Sequence, residues 1–132
     1  MNQNYKHPKR KTKVVFVQLG SPSEPTTKAL RKYLRKFLGD PRVVDINPWL
    51  WKIILNFFVL PFRPKKSAKL YARIWDGESF PLITNTRDFT KNVEKELKEI
   101  DPESYVEVNH AFLLSPPYAV SYTHLTLPTT KQ

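Results

Sequence analysis

Arg63 and Tyr71 are the side chains best placed for chemistry on a flat, apolar, acidic ligand. Arg63 follows Phe62 directly, at the end of the aromatic run 49–62, and a planar guanidinium meets a carboxylate through two parallel hydrogen bonds. Tyr71 comes later in the same stretch and offers a phenol to the same cleft. Lys52, Lys65, Lys66, Lys69 and Arg73 add positive charge beside a surface too rich in Trp, Phe, Ile and Leu for an ordinary solvated helix. Apolar walls with a few fixed cations make a cofactor-sized cleft, or a face that lies on a membrane.

A general base is harder to find. His7 falls in a basic leader, His124 lies near the end of the chain, and His110 sits in a strand-like run where a sheet-face role is the ordinary one. Cysteine is absent, which excludes a disulfide framework, a thiolate metal site and an iron–sulfur cluster in this chain. Gly20-Ser21-Pro22 is too short for a phosphate loop and lacks the G-x-G-x-x-G pattern of a dinucleotide site.

A length of 132 residues allows one small domain, and a hydrophobic content of 40% marks it as globular rather than disordered. The net charge of +10 invites a nucleic-acid reading, but its distribution argues against one. Lys6, Lys9, Arg10, Lys11 and Lys13 belong to a disordered basic leader at 1–13, and Lys28, Arg31, Lys32, Arg35 and Lys36 read as the solvated face of a helix. No nucleic-acid partner is expected. The run 49–62, interrupted by Lys52, Asn56 and Pro61, is too short to span a bilayer but suits lying on one.

The elements that must position these residues follow from periodicity and caps. Residues 14–19 read as a buried strand, closed by the turn 20–22. From a cap at Thr26 or Thr27, the spacing of Ala29, Leu30, Tyr33, Leu34, Phe37 and Leu38 predicts a helix that stops at Gly39. Residues 41–47 read as extended, Pro48 opens an apolar helix, Pro61 ends it, and Pro64 starts another with Ala68, Tyr71, Ala72 and Trp75 inward. After a loop at 76–79, residues 81–83 read as extended. Thr84 or Thr86 then caps a helix to Ile100 with Phe89, Val93, Leu97 and Ile100 on its apolar face. A second strand runs over 105–114. The order is that of a layered α/β domain.

Three segments, VVFVQLGSP, LPFRPKKSAKLYARIW and FPLITNTR, occur in this order, and the chain resembles the opening third of a ferrochelatase. The resemblance implies a chelatase-like α/β fold, two Rossmann-like lobes in the full protein, with residues 14–118 forming only part of the first lobe. It implies insertion of ferrous iron into protoporphyrin IX in heme biosynthesis, with those two as substrates and no cofactor in this fragment. It places Arg63 at the family's porphyrin-contacting Arg of the R-P-K-K stretch and Tyr71 at the Tyr of Y-x-x-I-W. Leu19, in Gln18-Leu19-Gly20-Ser21-Pro22, takes the macrocycle-facing position of the N-x-G-[TGS]-P turn. In the family's G-S-P-L turn Phe80 replaces the contacting Ser, and Ser79 is its counterpart displaced by one. Trp49, Trp51, Ile54, Phe57 and Phe58 match the active-site lip, which makes peripheral membrane contact through 49–62 an expectation, at the inner face of a membrane and on its cytoplasmic side.

The family's catalytic His segments, S-x-H-x-x-P or Y-H-G-x-P, do not occur, so no catalytic or metal-binding residue is assigned and the fragment is expected to be inactive. Of the family's R-Y-x-x-P at the second strand, Phe112-Leu113-Leu114-Ser115-Pro116 keeps only the proline. VSYTHLTLPT at 120–129 is what one frame of a transposase sequencing adapter encodes, so residues 119–132 read as a non-native tail. A different class stays open: a small basic module binding anionic membrane or nucleic acid without catalysis.

Overall fold

The structure, a computed structural model, describes residues 11–122. The first ten residues of the basic leader, with His7, and residues 123–132 of the tail, with His124, lie outside the described residues. Strands β1 (Lys11–Gln18) and β2 (Tyr105–Phe112) pair in parallel, in register from Lys11 opposite Tyr105 to Gln18 opposite Phe112. A parallel pair needs a long crossover, and here every α-helix of the described residues lies within it. These are α1 (Thr27–Leu38), α2 (Pro48–Ile54), α3 (Leu60–Ala72) and α4 (Pro81–Ile100), with a π-helical turn at Leu55–Val59 joining α2 to α3. The fold is α/β.

β1 begins before Val14, so Lys11, Thr12 and Lys13 belong to the sheet and not to the leader. Pairing with Tyr105, Val106 and Glu107 holds them there, helped by an ion pair of 3.2 Å between Lys13 and Glu107. β2 ends at Phe112 rather than 114, although Leu113 N–H and Leu114 N–H still donate to the carbonyls of Gln18 and Leu19, both at 3.0 Å.

α1 follows its local signals. The Thr26 hydroxyl accepts from Ala29 N–H at 3.2 Å, and Ala29, Leu30, Tyr33 and Leu34 are buried. At Gly39 a Cβ would come within 2.5 Å of the Arg35 carbonyl, which closes the helix end to larger residues. Residues 41–43 form a turn instead of opening an extended segment, because the Asp40 carboxylate accepts from Arg42 N–H at 2.8 Å while its carbonyl takes Val43 N–H at 3.0 Å.

Neither Pro61 nor Pro64 breaks the helical path, contrary to expectation. Leu60 N–H donates five residues back to the Leu55 carbonyl, and this wider turn relieves the clash that the Pro61 ring would make with a carbonyl four residues back. Pro64 has no N–H for the Leu60 carbonyl, and Arg31 Nε of α1 donates to that oxygen instead, at 3.2 Å. Arg31 is thus a structural donor, not merely a solvated charge. Ala72 is exposed rather than inward, while Ala68 is buried and Tyr71 and Trp75 are half-buried.

α4 starts at Pro81, so 81–83 are helical and Phe80, not Thr84 or Thr86, is the cap. Its buried residues are Thr86 and Thr90, whose hydroxyls donate to the carbonyls of Leu82 and Thr86, each at 2.7 Å. Small threonines able to satisfy themselves on their own helix let α4 lie close to the sheet. Phe89 and Ile100 are 54% and 78% exposed, off the expected inner face, although the Phe89 ring meets Phe16 edge-on at 5.1 Å. A core of Tyr33, Leu34, Leu55 and Leu60, backed by Leu38, Trp51, Val59 and Leu114, joins α1 to the helical arm.

Candidate active site

In α/β sheets ligands gather outside the carboxyl ends of the strands, and the loops after β1 and β2 build two adjoining clefts there. Gly20 makes the first turn with φ of 96°. Any Cβ at Gly20 would meet Ser115 Oγ at 2.5 Å and Phe112 Cβ at 3.2 Å, so glycine is required by both conformation and space. Ser21 and Ser115 are buried, and Ser21 N–H donates to Ser115 Oγ at 3.4 Å, fastening one loop to the other. One cleft, of about 160 Å³, runs between Ser21, Ser23, Trp75, Ser79, Phe80 and Ser115. The other, of about 190 Å³, is bounded by Ser21, Lys32, Tyr33, Lys36, Ser115 and Tyr118.

Phe80 organises this end of the molecule. It is 2% exposed and makes edge-type ring contacts with Tyr71 at 5.4 Å and Trp75 at 4.7 Å. Its neighbour Ser79 is fixed by a loop in which the Asp76 carboxylate accepts from Glu78 N–H at 2.8 Å and Ser79 N–H at 2.6 Å. These backbone donors, that of Ser79 foremost, hold the Asp76 carboxyl below its ordinary value. The Ser79 hydroxyl shares a 2.6 Å hydrogen bond with Thr84. Tyr33 donates its hydroxyl to the Gly20 carbonyl at 3.4 Å. Burial, with the nearby Tyr71 phenol adding to it, pushes Tyr33 up to about 12. Leu19, Tyr33, Tyr71 and the loop 76–80 therefore converge on the carboxyl end of β1.

The residues expected from sequence divide into groups. Ser79 lines the first cleft, and Leu19, 36% exposed, stands at the mouth of the turn beside Gly20. Tyr71 is half-buried and packs on Phe80. Arg63 is exposed, without an ion pair or a side-chain hydrogen bond among the described residues, about 12 Å along α3 from Tyr71. The helix does not bring these two side chains together.

Among the lip residues, Trp49, Phe57 and Phe58 are 80%, 69% and 65% exposed. Trp51 and Ile54 are half-buried, and the Trp51 indole N–H donates to the Leu38 carbonyl at 2.6 Å, which turns that ring inward to close the end of α1. Tyr33, Trp75 and Phe80 were not assigned to the site from sequence. Tyr33 carried a signal, a tyrosine on the buried face of a helix that starts at the strand's carboxyl end. His110 lies half-buried on β2 with its ring edge-on to Phe112 at 5.6 Å. Among the described residues no group of His, Cys, Asp or Glu is arranged to hold a metal ion, and no helix is long and apolar enough to cross a membrane.

Comparison with known proteins identifies the family. The ferrochelatase family model matches residues 11–125. The chain is 53% identical over 88 residues to a ferrochelatase of Psychrobacter arcticus, covering 65% of this chain and 25% of that protein. It is 61% identical over 66 residues to a ferrochelatase of Psychrobacter cryohalolentis, covering 50% and 20%. It is 53% identical over 70 residues to ferrochelatase 1 of Shewanella oneidensis, covering 53% and 21%. The chain thus spans a quarter or less of the length of these relatives. No solved structure matches it. A family-model match over most of the chain shows that this chain belongs to the ferrochelatase family.

Proposed function

We propose that this chain supplies part of the porphyrin wall of an enzyme that inserts ferrous iron into protoporphyrin IX, the lyase step that completes heme. The observation that carries the reading is the convergence of Leu19, Tyr71, Ser79 and Phe80 on the carboxyl end of β1, with the exposed guanidinium of Arg63 further along α3. Leu19 and the aromatic rings present an apolar edge to a macrocycle, and Arg63 takes a propionate. Trp49, Phe57, Phe58 and Phe62 extend that wall, and the same residues rest on the inner face of a membrane from the cytoplasmic side. From β1 onward the chain acts as part of a first lobe. The metal and the porphyrin are both substrates. Since none of the histidines lies in a family catalytic segment, the 132-residue chain binds porphyrin without metallating it.

Titration of the chain with protoporphyrin IX, read by tryptophan quenching and the shift of the porphyrin absorption band, tests this. Saturable binding that survives high salt, weakened about tenfold by Arg63→Ala, is the expected result. Binding that collapses with ionic strength would favour the basic module, whose hold on anionic lipid or nucleic acid is electrostatic. Iron insertion by the chain alone would contradict the non-catalytic part of the reading.

A further inference from the structure

Between the end of α1, the segment 40–47 and the start of the helical arm lies a cavity of about 450 Å³, within the roughly 300–1,000 Å³ of small-ligand sites. It is separate from the two strand-end clefts and shares no lining residue with them. Val44, Ile46, Trp51 and Leu55 form its walls, and Arg35 and Lys52 bring two cations to it. No carboxylate lines the cavity, and neither cation has an ion pair among the described residues. Beyond Lys52 and Asn56, which border both spaces, a second trough of about 300 Å³ opens between Trp49, Ile53 and Phe57.

Apart from the two cations, few polar groups of the wall are free. The Trp51 indole N–H is held by the Leu38 carbonyl and the Asn56 amide N–H by the Lys52 carbonyl, at 2.6 and 2.8 Å. A sugar, with many hydroxyls and no charge, would therefore lose most of its hydrogen bonds to water without replacement. A ligand with one anionic end and a long hydrocarbon body would replace its few hydrogen bonds at Arg35 and Lys52, and it would cover Ile46, which stands 46% exposed. We propose that this cavity is a binding site for a free long-chain fatty acid, its carboxylate between Arg35 and Lys52 and its chain along Val44, Ile46, Trp51 and Leu55.

Oleate, kept below its micelle-forming concentration, is the probe, titrated into the 132-residue chain by calorimetry and tryptophan fluorescence. One saturable site is expected, with affinity falling about fourfold for each methylene removed from the chain. The double variant Arg35→Gln/Lys52→Gln, which alters only exposed side chains, should weaken oleate about tenfold or more while circular dichroism is unchanged. Val44→Trp should block the site by filling it. Oleyl alcohol binding as well as oleate, an undiminished affinity in the double variant, or a signal that never saturates would each overturn the proposal. So would competitive displacement of oleate by protoporphyrin IX, which would make the cavity part of the porphyrin wall. Oleate binding without any porphyrin binding would instead sink the porphyrin reading and leave this one standing.

Discussion

The carboxyl end of the strand pair and the helical arm at 48–72 use aromatic residues in opposite ways. At the strand end Phe80 and Phe112 are fully buried, Tyr33 is buried with its hydroxyl engaged, and the serines of facing loops bond to one another. On the arm Trp49, Phe57, Phe58 and Phe62 stand between 65% and 80% exposed, while Trp51, Leu55, Val59 and Leu60 tie the arm to α1. An aromatic ring held in water gains nothing for the fold, so the arm's outer rings serve a surface other than this domain's own core. The strand end is organised for precision of position, the arm for area of contact. A ligand needing both a fixed edge and a broad apolar face would use the two together.

Substitutions should break the two regions differently. Phe80→Ala removes the ring that Tyr71 and Trp75 pack against, and should cost about 3–5 kcal/mol in urea unfolding, with porphyrin binding lost as the 76–80 loop loosens. Gly20→Ala forces a Cβ against Ser115 at a positive φ, and about 2–4 kcal/mol is expected by the same measurement. Arg31→Met leaves the Leu60 carbonyl without a donor and should cost about 1–2 kcal/mol. In a Pro64→Ala background, where the backbone N–H is restored, the same change should cost close to nothing. Equal costs in both backgrounds would show that Arg31 does not stand in for the missing donor.

Tyr33 gives the strand end a pH signature. Below pH 10.0 its phenol is protonated in both the folded and the unfolded chain; between 10.0 and about 12 only the unfolded chain ionises. Stability should therefore fall across that window, and Tyr33→Phe should flatten the fall and remove one late step from the phenolate absorbance titration. The smallest change in stability is expected on the arm. Phe57→Ser with Phe58→Ser should stay within about 0.5 kcal/mol of the parent, yet reduce binding to protoporphyrin and to anionic vesicles. Marked destabilisation there would erase the contrast between the regions.

The sequence by itself determined the parts of this protein whose causes are local. The span of α1 was legible because Thr26 caps it, Gly39 ends it and the apolar residues between them recur at helical spacing, all within a few residues of the backbone they govern. The two strands, the turn at Gly20 and the apolar character of the arm were legible for the same reason, and the ordered motifs carried the family. Tertiary structure decided what depended on a distant partner. The helix passes through Pro64 because the donor its carbonyl needs comes from Arg31, on another helix. Trp51 turns inward because the end of α1 offers the Leu38 carbonyl, and Thr86 and Thr90 are buried because a sheet lies against them, although neither is an apolar residue. Local preference sets which conformations the chain can adopt, while the pairing of each remaining polar group is settled only when elements far apart in sequence meet.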